Sequence, residues 1–173
     1  MSLLSPQSWW RAWRHLWLDA SDSARLLPPA AQARLEAAVR DSEALHLGEV
    51  RLCVEAGLPW QAWRQGQSAR QRAMDLFGLL RVWDTAHNNG VLIYVLLADR
   101  RIEVLADRGL HAHTGPEVWA RLTQDLAQAL AQGQVEAGLT QALQSVSTLL
   151  RAHHPAPQDA IKRNELPDSI VLL

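Results

Sequence analysis

Two neighbouring stretches constrain this chain most. Val91 to Leu97 is continuously apolar, with β-branched members and one aromatic. A short run of that kind reads as a central strand covered on both faces. Arg101 to Asp107 then alternates. Ile102, Val104 and Ala106 share one face, and Arg101, Glu103, Leu105 and Asp107 share the other. Asp99-Arg100 between them reads as a hairpin turn, although it lacks the Asn-Gly or Asp-Gly of the tightest turns. A strand buried on both faces needs helices on both sides, so this hairpin already demands a layered α/β architecture.

The rest of the chain supplies those layers. Pro28-Pro29 opens a helix with Ala31, Leu35, Ala38, Val39, Ser42 and Leu45 on one stripe, and Gly48 is expected to stop it. Glu49 to Ala56 alternates as a half-buried strand. Val50, Leu52 and Val54 face one way; Arg51, Cys53 and Glu55 face the other. Gly57 to Gln67 reads as a loop carrying Trp60 and Trp63. Ser68 and Gln71 make a capping-box signature for a helix with Ala69, Ala73, Leu76, Phe77 and Leu80 on its buried stripe, ending near Trp83. Thr114-Gly115-Pro116-Glu117 reads as a Thr-capped helix start, and Gly133 closes that helix. Val135 to Leu150 gives the cleanest helical stripe, ended by His153-His154-Pro155.

The expected order is helix, strand, helix, strand, strand, helix, helix. The unit from Glu49 to Leu97 would be a right-handed parallel crossover, and the hairpin would add an antiparallel strand. The fold class is therefore α/β, a small mixed sheet sandwiched between helices. Residues 1–26 read as a Trp-rich helix and linker, 27–154 as the domain, and 155–173 as a loosely held tail with its apolar end, Ile170 to Leu173, as the exception.

With 173 residues the chain suits one domain with a real core. Its net charge of −1 and lack of a basic block argue against nucleic acid as a partner. One cysteine, Cys53, permits no intrachain disulfide and fits a reducing compartment. No apolar run reaches the roughly 18 residues of a membrane span, and the first residues lack a signal-peptide pattern, so a cytoplasmic location is expected. Eight tryptophans stand against one phenylalanine and one tyrosine. Trp9, Trp10, Trp13 and Trp17 crowd the first helix, where Trp9, Trp13, Leu16 and Trp17 share a face with Arg11, Arg14 and His15 off it. That stripe suits either docking on protein or a peripheral membrane contact.

Standard nucleotide, hydrolase-elbow and zincin signatures are absent. What remains is polar. Asp84, Thr85, His87, Asn88 and Asn89 lead into the first hairpin strand; Asp107, His111 and His113 follow the second. In an antiparallel hairpin those ends lie side by side. Asp84, Asn88, Asn89, Glu103 and Asp107 are oxygen donors of the kind Ca²⁺ or Mg²⁺ takes. His87, His111 and His113 would suit a transition metal. The competing reading is turn chemistry, with Asn89-Gly90 supplying positive-φ positions and the histidines solvated.

The run Asn88-Asn89-Gly90-Val91-Leu92-Ile93, then Ala98-Asp99-Arg100-Arg101-Ile102-Glu103-Val104 and Gly109-Leu110, resembles the core signature of the TPM-domain family, and Gly133 with Ala137-Gly138-Leu139 also matches its pattern. That family groups thylakoid-lumen repair proteins with many bacterial proteins. The resemblance implies a three-layer α/β/α sandwich with a central mixed sheet. It also implies divalent-cation binding, calcium above all, at acidic loops on one end of the sheet. Some members are credited with acid phosphatase activity; others are accessory modules, often associated with small membrane proteins of the LemA type. Two features depart from the common pattern. The strand entry is Asn88-Asn89-Gly90 rather than the more acidic Asp form, and Ala106-Asp107-Arg108-Gly109-Leu110 replaces Gly-Tyr-Gly, bringing Arg108 beside Asp107.

The leading expectation is a non-enzymatic accessory or binding module, cation-binding and peripheral to the inner membrane through the Trp-rich helix. One alternative is a metal-dependent phosphatase in which Asp84, Asn88 and Asp107 hold the ion and Glu103 or His111 serves as acid/base. Another is a structural protein that self-associates through exposed tryptophans.

Overall fold

The computed structural model describes residues 20–156 and 164–173. Trp9, Trp10, Trp13 and Trp17, and the membrane or partner contact expected of them, lie outside the described residues. Among the described residues, four strands form one sheet: β1 (Glu49–Glu55), β2 (Gly90–Leu96), β3 (Arg101–Ala106) and β4 (Val171–Leu172), in the order β3-β2-β1-β4. β1 and β2 run parallel from Glu49 opposite Gly90 to Glu55 opposite Leu96. β2 and β3 pair antiparallel from Val91 opposite Ala106 to Leu96 opposite Arg101. The expected crossover and hairpin are both present.

Among the described residues, seven helices surround the sheet: α1 (Ala20–Leu26), α2 (Pro29–Glu43), α3 (Trp60–Arg64), α4 (Ala69–Leu79), α5 (Arg108–His111), α6 (Pro116–Ala131) and α7 (Val135–His153). The period of two along each strand sorts side chains into two cores. On one face Val50, Leu52, Val54, Val91, Ile93, Val95 and Val104 meet α2, α6 and α7 through Leu35, Val39, Leu126, Leu139, Val146 and Leu150. On the other, Cys53, Leu92, Tyr94, Leu96 and Leu105 meet Ala69, Ala73 and Leu76 of α4. The architecture is the expected α/β/α sandwich.

Several local details differ from the sequence reading. β1 is buried along its whole length rather than half-buried, because α4 and the C-terminal segment cover its polar face. Arg51 there donates to the Pro167 carbonyl. The segment read as a linker is the helix α1, whose Ser23 hydroxyl donates to the Leu173 carbonyl at 3.1 Å. Trp60 and Trp63 lie on the short helix α3 rather than on a loop, with rings stacked 5.0 Å apart. The stripe of α2 stops short of Leu45, which is exposed beyond a helix that ends at Glu43. α4 ends at Leu79, where Arg81 takes positive φ and Val82 donates back to the Phe77 carbonyl. Its capping box forms as expected, with Ser68 Oγ accepting from Gln71 N at 3.2 Å and Ser68 N donating to Gln71 Oε1 at 2.9 Å. Thr114 does not cap α6. Its hydroxyl donates instead to the Leu110 carbonyl at 3.0 Å, and Gly115 stands at the cap.

Candidate functional site

The site grows from the hairpin register. Asp107 N donates to the Gly90 carbonyl at 2.9 Å, which ties the exit of β3 to the entrance of β2. The loops 84–89 and 107–113 therefore meet at one end of the sheet. Asp107 caps the short α5, with Oδ1 accepting from Arg108 N at 2.7 Å. Asn88 carries the positive φ of the entrance loop, 51°, and its carbonyl accepts from Gly109 N at 2.8 Å. The turn reading had assigned that conformation to Asn89-Gly90. Gly90 is needed for a different reason: a Cβ there would collide with the Val82 carbonyl oxygen. Gly109 is held the same way, since its Cβ would lie 2.5 Å from the Asn88 carbonyl oxygen.

Polar groups at this end are not all spent on turn bonds. Thr85 Oγ1 accepts from Asn89 N at 3.1 Å. The Asn89 side chain itself is fully buried, and neither Oδ1 nor Nδ2 has a hydrogen-bond partner among the described residues. Asp107 Oδ2 is likewise buried without one among the described residues. Asn88 Oδ1 is taken by the Arg108 guanidinium, at 3.2 Å from Nη2 and 3.3 Å from Nε.

Of the five expected oxygen donors, Asn88, Asn89 and Asp107 stand where the loops join, Asp84 stands at the start of the first loop, and Glu103 lies along β3. Asp84 is ion-paired with Arg81 and partly exposed. Glu103 stands opposite Tyr94, four residues before Asp107 and so roughly 13 Å along the strand. It faces Arg70 Nη1 at 3.4 Å. Among the described residues, no three His, Cys, Asp or Glu side chains come together in a way that could hold a metal ion.

The histidines sort differently from the sequence expectation. His113 stacks on His153 of α7, ring centroids 5.0 Å apart. His154 sits beside them, and its pKa is pushed below the ordinary value. Burial is the main cause; a hydrogen bond to the Gly109 backbone opposes it, and the nearby His113, His153 and His87 add to the depression. His111 instead lines a groove with Arg70, Ala106 and Trp119. The sequence showed His153-His154 only as a helix end. Nothing local told that this end lands on the hairpin loops.

At the opposite end of the sheet lies a network the sequence did not announce. Glu55, buried at the end of β1, accepts from Arg72 Nη2 at 2.7 Å and Nε at 3.0 Å, and from the Tyr94 hydroxyl at 2.6 Å. Burial is the first cause, and Glu55 the second, that pushes the Tyr94 phenol upward. Cys53 beside them is pushed up to about 12, chiefly by burial, so its thiol stays protonated and unreactive near neutral pH.

Comparison with known proteins agrees with this geometry. The solved NMR structure of the BA42 protein from the psychrophilic bacterium Bizionia argentinensis superposes with a TM-score of 0.73 at 26% identity, covering 84% of this chain and 94% of that one. No curated protein matches the chain. The TPM domain profile matches residues 20–149, from α1 to the last turn of α7. The chain belongs to the TPM-domain family.

Proposed function

We propose that this TPM domain is a non-enzymatic binding module that takes a divalent cation at the joined loops of Asn88, Asn89 and Asp107. The observation that carries this reading is the pair of buried, unpartnered groups there, the Asn89 side-chain amide and Asp107 Oδ2. A buried polar atom left without a partner costs roughly 1–3 kcal/mol, so an ion or an ordered water meeting these atoms is favoured. Carboxylate and amide oxygens are hard donors, which suits Ca²⁺ or Mg²⁺ over softer metals. One carboxylate and a neighbouring guanidinium make a weak site, with a dissociation constant on the order of 10⁻⁴–10⁻³ M.

Calorimetric titration of the full chain with Ca²⁺, Mg²⁺ and Zn²⁺ tests the reading. Saturable heat with Ca²⁺ or Mg²⁺ that is lost in Asp107→Asn supports it; no heat with either ion sinks it. Phosphate release from a generic ester in the presence of the ion would replace the accessory reading with a hydrolytic one. The stripe Trp9, Trp13, Leu16 and Trp17 supports an extension of the reading, peripheral contact with a membrane and with a membrane protein of LemA type. An unchanged soluble fraction on removal of residues 1–17 would discard that extension.

A further inference from the structure

The sheet has two edges, and they are treated differently. Outside β1, the C-terminal segment covers the backbone: β4 pairs at Cys53 and Val54, and Leu166 N donates to Glu49 Oε2 at 3.2 Å. Outside β3 there is no further strand among the described residues. The register says which groups this leaves open. Gly90 and Asp107 exchange a ladder bond, and such bonds recur at every second pair of an antiparallel ladder. Leu105, Glu103 and Arg101 therefore bond inward to β2, while Ile102, Val104 and Ala106 turn their N–H and C=O groups outward. Of these, the Val104 carbonyl meets Arg70 Nη1 at 3.4 Å. β3 has no proline, no lysine and no bulge across its six consecutive pairs, and its charged side chains, Arg101 and Glu103, are of opposite sign.

We propose that this edge pairs with the same edge of a second copy, antiparallel about a two-fold axis at Ile102, making one continuous eight-stranded sheet. Charge selects both the occupant and the register. With the axis at Ile102, Arg101 of each copy stands opposite Glu103 of the other, so two opposite-charge pairs form on the α4 face. Arg101 is exposed and has no ion-pair partner among the described residues, and Glu103 has Arg70 at 3.4 Å. Moving the axis to Glu103 sets two like charges against each other. Moving it to Val104 sets Arg101 against Asp107, whose carboxylate is turned to the α5 cap and the interior. On the other face, Ile102 meets its own copy next to the apolar groove of Leu97, Leu130 and Val135. A C₂ contact of this kind is self-complementary and closed, since each copy contributes the same β3 edge.

The test is the mass of the full chain by light scattering over a concentration series, with amide exchange. A dimer is expected, twice the 19.3 kDa chain, with concentration-dependent protection of the Ile102 and Val104 amides. Arg101→Glu alone and Glu103→Arg alone should each weaken the dimer roughly ten-fold, since cross-strand pairs turn from attractive to repulsive. The double reversal should restore it, a result that misfolding of one variant cannot mimic. A monomer at all concentrations overturns the proposal and leaves the edge to a foreign extended segment. A dimer indifferent to the reversals, or one dissolved by Trp60→Ala and Trp83→Ala instead, overturns it as well.

Discussion

Arg108 reaches from α5 to Asn88, with both Nη2 and Nε within 3.3 Å of Oδ1. A guanidinium thus occupies one of the three side chains offered to a cation. Its charge opposes the ion, and its hydrogen bonds must break if Asn88 is to ligate. Arg108→Ala should therefore tighten Ca²⁺ binding by about five-fold, corresponding to roughly 1 kcal/mol, the size of the interaction between unit charges about 4 Å apart in water. Asp107→Asn should weaken it below detection. Calorimetry on the two variants checks both directions, and equal affinities in all three proteins would count against a site at these loops.

The buried carboxylate of Glu55 stands on two supports, Arg72 and Tyr94. Removing one charge partner of a buried pair leaves the other uncompensated. Arg72→Met should cost about 3 kcal/mol of unfolding free energy. Tyr94→Phe should cost less, about 1–2 kcal/mol, because the arginine still holds both carboxylate oxygens. Pairing Arg72→Met with Glu55→Met should recover part of the loss. Urea denaturation of the set measures each step, and a double variant no better than Arg72→Met would show the pair was not coupled.

Cys53 offers a probe of the second core. It is fully buried, and its thiol is pushed up to about 12. A thiol reagent at mildly alkaline pH should label the native chain far more slowly than the denatured one, by a factor on the order of 10³ or more if labelling needs global opening. Rapid native labelling would mean that β1 opens locally.

His154 makes stability depend on pH. The unfolded ring takes its proton near 6.5, and the folded ring only at a lower pH. Between those values the unfolded state binds more protons, so unfolding free energy rises with pH and is lost as pH falls through the folded value. The melting temperature should drop as the pH is lowered from about 7.5 to about 5.5. His154→Gln should flatten that dependence while keeping a hydrogen-bond donor toward Gly109. An identical pH profile in the variant would remove His154 as the cause.

How much of this was legible beforehand depends on the range of the forces involved. The β2–β3 hairpin, the capping box of Ser68 and Gln71 and the stripe of α7 all follow from neighbours a few residues apart, and they stand in the structure as read. Asn88 and Gly90 show a partial success. The tight entrance was legible, but the positive φ falls on Asn88, and Gly90 is required instead by the close approach of the Val82 carbonyl. Thr114 had a cap's sequence, yet its hydroxyl donates to the Leu110 carbonyl and Gly115 stands at the cap. Arg51, Glu55 and the C-terminal strand could not be foreseen, because β1's polar face is buried only once α4 and residues 164–173 have closed over it.

The amino-acid sequence by itself determined the alternation of strands and helices, the two-faced character of β2 and the family to which the chain belongs, because periodicity and turn chemistry act within a few residues. Only the tertiary structure decided which polar groups meet. It brought His153 and His154 to the hairpin loops, gave Glu55 to Arg72 and Tyr94, buried the Asn89 side chain and placed β3 at an edge of the sheet. Those outcomes follow from contacts between residues far apart in the chain, and these exist only after the layers have packed.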